Sequence, residues 1–126
     1  MNRKNCPYAY GDNVVYASAV FTGGGDGLTV TIPTDLATQR VNAAASATRT
    51  GEGVYSLVMA EGSMPPRVTQ VICSVEGGAH QAIVTTQYVA TTRTVVVTTY
   101  TTAGTADDLL TTEQLKLFIV GQDSTN

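Results

Sequence analysis

Length, composition and charge restrict this chain to one small protein domain with a weakly charged surface. Its 126 residues are 43% apolar and only 13% charged, and the formal net charge is −3. This length suits a single domain that forms its core without disulfide staples. The negative charge and the lack of a Lys/Arg cluster argue against a nucleic-acid-binding protein.

Residues 1–12 follow neither a strand nor a helix pattern and predict an extended N-terminal arm. Arg3, Lys4, Tyr8 and Tyr10 lie in this arm, and arginine and tyrosine are effective anchors of protein interfaces. We expect these four side chains to bind a partner, with disorder as the alternative state of the arm. The basic start is followed by no apolar segment, and no stretch reaches transmembrane length. We therefore expect synthesis in a cytoplasm, without a signal peptide or membrane contact.

Segments rich in Val, Thr and Ile then follow at short, regular spacing, which is typical of all-β proteins. Two heavy atoms on Cβ restrict χ1 and favour the pleated strand, most strongly over residues 94–101. No helical segments alternate regularly with these strands. We therefore expect an antiparallel two-sheet β-sandwich of jelly-roll type over residues 13–121 and a flexible tail at 122–126. The predicted strands are 14–21, 28–32, 54–60, 68–75, 81–90, 94–101 and 115–120.

Residues 35–47 are the one segment whose secondary structure the sequence leaves open. Leu36 and the alanines that follow Val41 fit a short helix with Thr34 or Asp35 as its N-cap. A strand of small residues over 41–48 fits equally well, and we favour the strand.

Two cysteines are too few for the disulfide framework of a small secreted domain. We expect Cys73, between Ile72 and Ser74, to be a small buried side chain rather than the partner of Cys6.

Few residues of this chain suit catalysis or metal binding. The single histidine, His80, is expected to be structural or solvent-facing, whereas a pocket that gathered it with an acidic residue would indicate an enzyme. Asp107 and Asp108, with Asp26 and Glu113, could supply oxygen ligands for Ca²⁺, but their spacing matches no EF-hand. A solvated or helix-capping acidic loop is the favoured interpretation. We expect no catalytic, metal or cofactor site.

Several predicted strands are apolar on both faces, although a sandwich has only one core. The second face is covered either by the arm or a long loop of the same chain, or by another subunit. The low charge favours a subunit interface, because interface cores are depleted of charged residues and enriched in aromatic residues and methionine. We expect a homotrimer, with interface side chains Tyr55, Met59, Tyr100, Phe118 and Val120.

The order of elements between Gly51 and Gly121 resembles that of structural proteins of tailed bacteriophages. Gly51-Glu52-Gly53-Val54-Tyr55-Ser56-Leu57 precedes a Pro-containing loop, a strand at 68–75 and a Thr/Val-rich strand pair. Thr105-Ala106-Asp107-Asp108-Leu109-Leu110 then leads to the last strand. This order is similar to the jelly-roll modules of phage capsid decoration (cement) proteins and head or tail fibres, and to the trimeric C1q and tumour-necrosis-factor-like fold.

The resemblance implies a non-enzymatic virion structural protein on the capsid surface. A homotrimer would bind the major capsid protein and stabilise the head lattice, and many weak contacts repeated by symmetry would add up through effective concentration. The alternative is a trimeric phage fibre or receptor-binding module that binds glycans. A bacterial adhesin module is a further alternative, against which the lack of a signal peptide argues.

Overall fold

The computed structural model describes residues 14–24, 28–30 and 43–122 and shows an all-β protein. These residues form two four-stranded sheets and no helix, and all strand pairings within the sheets are antiparallel. The expected antiparallel β-sandwich is thereby confirmed, whereas its jelly-roll type stays a prediction. The strands are β1 (Val14–Gly23), β2 (Leu28–Val30), β3 (Ala44–Gly51), β4 (Val54–Met59), β5 (Arg67–Glu76), β6 (Gln81–Val89), β7 (Thr94–Tyr100) and β8 (Gln114–Gln122).

Among the described residues, three of the six strand pairings, β1–β8, β5–β8 and β4–β7, join strands that are distant in sequence. The β1/β8 sheet has the order β2-β1-β8-β5, and the β4/β7 sheet has the order β3-β4-β7-β6. The last strand, β8, therefore lies between β1 and β5 and pairs with both along nearly its whole length. The β1/β8 sheet thus depends on β8, the last strand of the chain, because β1 and β5 have no direct pairing with each other.

The core lies between the sheets and follows the two-residue period of the strands. In β4, every second residue from Tyr55 to Met59 is fully buried, and the residues between them are partly exposed. Each buried large apolar side chain contributes roughly 1.5–3 kcal/mol to folding. The buried apolar residues are Ala19, Val20, Phe21, Ala43, Ala44, Tyr55, Leu57, Met59, Val71, Val95, Val97, Leu109, Leu115, Leu117 and Ile119.

The side chain of Gln87 links the two sheets at one corner of the sandwich, where the edge strands β5 and β6 meet. The Gln87 amide accepts a hydrogen bond from the Val71 backbone N–H at 2.9 Å and donates one to the Val71 carbonyl at 3.3 Å. Gln87 thus replaces a neighbouring strand and blunts the β5 edge against pairing with another chain.

Cys73 lies at the same corner as a free thiol that packs against the core. Burial raises the pKa of the Cys73 thiol, and the backbone N–H of Val84 partly opposes this effect. The half-buried position agrees with the small core side chain expected from the sequence. Cys6 lies outside the described residues.

The ambiguous segment is a strand over its described part. β3 begins at Ala44 and continues to Gly51, three residues beyond the predicted end at position 48. Its antiparallel pairing with β4 contains two irregular steps, which explains why a clear two-residue apolar period is missing. Residues 35–42 lie outside the described residues.

Two predicted boundaries concern the ends of the domain. Gln122 is the last residue of β8 and pairs with Val14 and Arg67, so the flexible tail predicted at 122–126 is wrong at its first residue. The arm predicted at 1–12 lies outside the described residues.

The connection between β7 and β8, residues 101–113, is the segment on which three other turns converge, and we call it the strap. The Gly23 backbone N–H, at the end of β1, donates to the carbonyl of Glu113 at 2.9 Å. The strap also contacts Gly53 in the β3–β4 turn and Gly77 in the β5–β6 turn, and both have positive φ. Leu109 inserts its side chain from the strap into the core.

Substitution of Gly23 should test how tightly the strap packs. The Cβ of an alanine at this position would overlap the Leu110 carbonyl, so we expect Gly23→Ala to lower the free energy of unfolding by about 1–3 kcal/mol. Gly51→Ala is the matched control, because its Cβ would meet only the Val54 side chain at 4.0 Å. Urea denaturation measures both variants, and equal stabilities would contradict the close approach of the strap.

Candidate functional site

The ring of His80 lies between two carboxylates of the strap, just before β6. Nδ1 is 2.8 Å from Glu113 Oε1, and Nε2 is 3.0 Å from Asp107 Oδ2. Both ring nitrogens can donate only when the imidazole is protonated. The hydrogen bond to Asp107 raises the pKa of His80, burial of the ring opposes this effect, and Glu113 adds to the increase. The two carboxylates therefore favour the protonated form of the His80 ring.

Glu113 is fully buried and has a partner on each carboxylate oxygen. The Leu110 backbone N–H donates to Oε1 at 2.7 Å, and the His80 backbone N–H donates to Oε2 at 3.1 Å. Burial alone would raise the pKa of Glu113, but these bonds and the His80 ring outweigh it and leave the pKa below its ordinary value. A Cβ at Gly78 would overlap the Glu113 side chain, so the glycine turn makes room for this carboxylate.

Asp108, the next acidic residue of the strap, binds the β3–β4 hairpin. Arg49 Nε lies 2.9 Å from both Asp108 oxygens, and the Gly53 backbone N–H donates to Oδ1 at 2.7 Å. The Tyr55 hydroxyl donates to Oδ1 at 3.2 Å and accepts from the Leu109 backbone N–H at 3.0 Å. Arg49 lowers the pKa of Asp108, partly opposed by burial, and Gly53 and Tyr55 lower it further. Burial is the main cause of a raised pKa at Tyr55.

The acidic residues of the strap are therefore structural ties, which corrects the expectation of a solvated or helix-capping loop. The two aspartates bind toward opposite edges of the β4/β7 sheet, Asp107 toward β6 and Asp108 toward β3, because adjacent side chains of an extended segment point in opposite directions. Within the described ranges, no group of three or more His, Cys, Asp or Glu side chains has a geometry that could hold a metal ion. Asp26 lies outside these ranges.

His80 lies beside two acidic residues. This arrangement would indicate an enzyme if the three side chains lay in a pocket. Its side chain is only 9% exposed, and both ring nitrogens face carboxylate oxygens. Each ring nitrogen thus has a carboxylate partner, and the arrangement ties the β5–β6 turn to the strap. Its structural role matches one of the two roles expected from the sequence.

The outer face of the β1/β8 sheet carries a contiguous group of apolar side chains, the exposed Tyr16, Ile72 and Phe118 and the partly exposed Val120, which we call the apolar stripe. The register places Tyr16 opposite Val120, and Ile72 opposite Phe118. The Tyr16 and Phe118 rings stack with centroids 5.2 Å apart and an interplanar angle of 21°. Tyr16, Ile72 and Phe118 are 52%, 51% and 46% exposed. A pair of opposite charges, Lys116 Nζ and Glu76 Oε2 at 2.6 Å, borders the stripe.

The expected interface residues divide among three places. Phe118 and Val120 lie on the outer face, as a subunit interface requires. Tyr55 and Met59 are fully buried within the chain, so their assignment to an interface is wrong: they point into the core, and Val54 and Val58 face outward.

Tyr100 lies on the outer face of the opposite sheet, where it pairs with Gln81 of β6. It is therefore separated from the apolar stripe by the thickness of the sandwich. The arm residues Arg3, Lys4, Tyr8 and Tyr10 lie outside the described residues.

Sequence reasoning missed Tyr16 and Ile72 as members of the stripe. Tyr16 in β1 and Ile72 in β5 alternate with inward-facing neighbours, and this alternation could have indicated that both residues face outward. Only the register between β1, β8 and β5 brings them beside Phe118 and Val120.

Comparison with known proteins gives this chain no relative. No protein-family model, no curated protein and no solved structure matches it. In the part of the chain that the structure describes, no helix is long and apolar enough to cross a membrane.

The two carboxylates that hold His80 should differ in their contribution to stability. Glu113→Gln should lower the free energy of unfolding by about 1–3 kcal/mol. The glutamine NH₂ group is a donor, and it would face the backbone N–H of Leu110 or of His80, which is also a donor. Asp107→Asn should cost less than about 1 kcal/mol, because the Asp107 side chain is 46% exposed and its ion pair is screened by water. Urea denaturation near pH 6 measures both, and a larger loss for Asp107→Asn would contradict this order.

Proposed function

We propose that this protein is a non-enzymatic structural protein of a virion, which decorates a phage capsid as a homotrimer and binds the major capsid protein. The apolar stripe on the outer face of the β1/β8 sheet is the observation that carries the proposal. The resemblance of residues 51–121 to phage decoration proteins supplies the biological setting.

The composition of the stripe supports self-association. Single exposed apolar residues are normal on protein surfaces, but a contiguous group of aromatic and branched side chains marks an interaction site. Tyr16 and Phe118 are of the type that anchors interfaces, and their stacked rings form one rigid surface. A second copy would cover them without removing a charge from water, because the nearest charged pair, Lys116 with Glu76, lies at the border.

The rest of the sandwich supports a mechanical role. The strap ties the ends of three other connections together through hydrogen bonds and ion pairs to Gly23, Arg49 and His80. The blunted β5 edge limits uncontrolled strand pairing between copies. Such a rigid block, repeated by symmetry, can bridge neighbouring capsid subunits through many weak contacts.

The oligomeric state tests the role of the apolar stripe. Light scattering after size exclusion should give three times the chain mass of 13.2 kDa. Phe118→Lys should yield a monomer, since a charge in the centre of the stripe would have to be buried without a partner. Ile83→Lys is the matched control, because Ile83 is also exposed, at 56%, but lies on the β4/β7 sheet. A wild-type monomer, or a trimer that survives Phe118→Lys, would overturn the proposed interface.

Binding to capsids tests the proposed partner. The trimer should sediment with capsids that lack their decoration protein, and deletion of residues 1–12 should abolish binding while the circular dichroism of the sandwich is preserved. Undiminished binding by the truncated protein would exclude the arm as the attachment element. No binding by the full chain, together with binding to a glycan array, would replace this proposal with the fibre or receptor-binding module.

A further inference from the structure

The strap is held by several ties, but only one of them contains a group that ordinarily titrates near neutral pH. Asp108 binds Arg49, whose guanidinium stays charged at all relevant pH values, and the backbone groups of Gly53 and Leu109 complete that tie. The other tie joins Asp107 and Glu113 through His80, and histidine is the residue whose ordinary pKa lies near neutral pH.

We propose that His80 is a pH-operated latch, which when protonated holds the Asp107 and Glu113 carboxylates together and when neutral releases the Asp107 carboxylate to water while Glu113 stays bound.

The asymmetry of the release follows from the burial of the two carboxylates. A neutral imidazole has one N–H, so it can donate to only one of its two partners. Glu113 has no contact with water, and an unpaired buried charge is costly. Asp107 is 46% exposed and can exchange its ring contact for water. The remaining proton therefore stays on Nδ1, and the lone pair of Nε2 faces Asp107 and repels its carboxylate.

The other charged groups near this end of the sandwich do not act on the latch. From the strap, Asp107 and Glu113 are the charges that shift the pKa of His80. The preceding turn contributes Gly77 and Gly78, which carry no charge. Glu76 pairs with Lys116 and Asp108 pairs with Arg49, so each of these neighbouring charges is already neutralised.

The direction of the pKa shift sets the pH range of the latch. The Asp107 hydrogen bond and the Glu113 contacts outweigh burial and raise the pKa of His80 above its ordinary 6.5. The stabilisation is therefore complete below about pH 6.5, the unfolded value. It is lost as the pH rises through the folded value. The latch is closed in acid and opens on the alkaline side.

Opening would change the surface formed by the strap. Asp107, Leu110 and Thr112 line a shallow depression, in which Leu110 is 56% exposed. The Asp107 backbone N–H donates to the Thr99 carbonyl at 3.0 Å, whereas the Glu113 N–H donates to Leu110 at 3.0 Å. The Thr99 hydroxyl also donates to the Asp107 carbonyl at 2.5 Å. The Asp107 backbone is therefore held independently of its carboxylate, and opening moves the side chain alone.

Nuclear magnetic resonance of the intact protein tests the latch directly. His80 is the only histidine, so its ring nitrogen resonances identify themselves in a pH titration. We expect a pKa above 6.5 and, at alkaline pH, a neutral ring with its proton on Nδ1. The χ1 couplings of Asp107 should change from those of a single rotamer to averaged values across this titration, because the released carboxylate turns to water. Glu113 is the internal control, and its buried side chain should keep one rotamer.

Two variants separate the latch from a general loosening of the protein. Asp107→Asn should lower the pKa of His80 relative to wild type. Asp108→Asn should leave the His80 titration unchanged, because Asp108 binds Arg49 on the other side of the strap. A neutral ring protonated on Nε2, or a single Asp107 rotamer on both sides of the titration, would overturn the proposal.

Discussion

The buried carboxylate of Glu113 joins parts of the sandwich that lie far apart in the chain. Its oxygens accept hydrogen bonds from the Leu110 and His80 backbones and from the His80 ring, and its own carbonyl accepts from Gly23. A buried charge is tolerated only when its partners are complete. The β5–β6 turn must therefore be glycine at position 78, and the strap must approach the end of β1 closely.

The two neighbouring aspartates of the strap are held in different ways. Asp108 and Leu109 fix its middle to the β3–β4 hairpin and to the core, largely through groups that do not titrate near neutral pH. Asp107 is held by a half-exposed contact to His80. Rigidity at one tie and pH sensitivity at the other arise from neighbouring residues whose side chains point to opposite sides of an extended segment. The surface near Leu110 can respond to pH while the core beneath it stays packed.

The proposed interface lies away from the strap, on the outer face of the β1/β8 sheet. Low charge made a covered second face a reasonable expectation from the sequence, and Phe118 and Val120 are indeed on that face. Tyr55 and Met59 were misplaced because β4 is apolar on both sides, so that its period shows which residues share a face but not which face is inward. Its two neighbours in the sheet and the opposing sheet decide this.

The sequence by itself determined the all-β class, the approximate positions of most strands and the weakly charged surface, because β-branched content, glycine turns and composition act locally. Tertiary structure alone decided the pairing of β8 with both β1 and β5, and with it the apolar stripe, because register depends on residues 38 to 108 positions apart. It also decided the role of His80. A lone histidine has no local pattern, and its two carboxylate partners reach it only because the strap folds back across the β5–β6 turn.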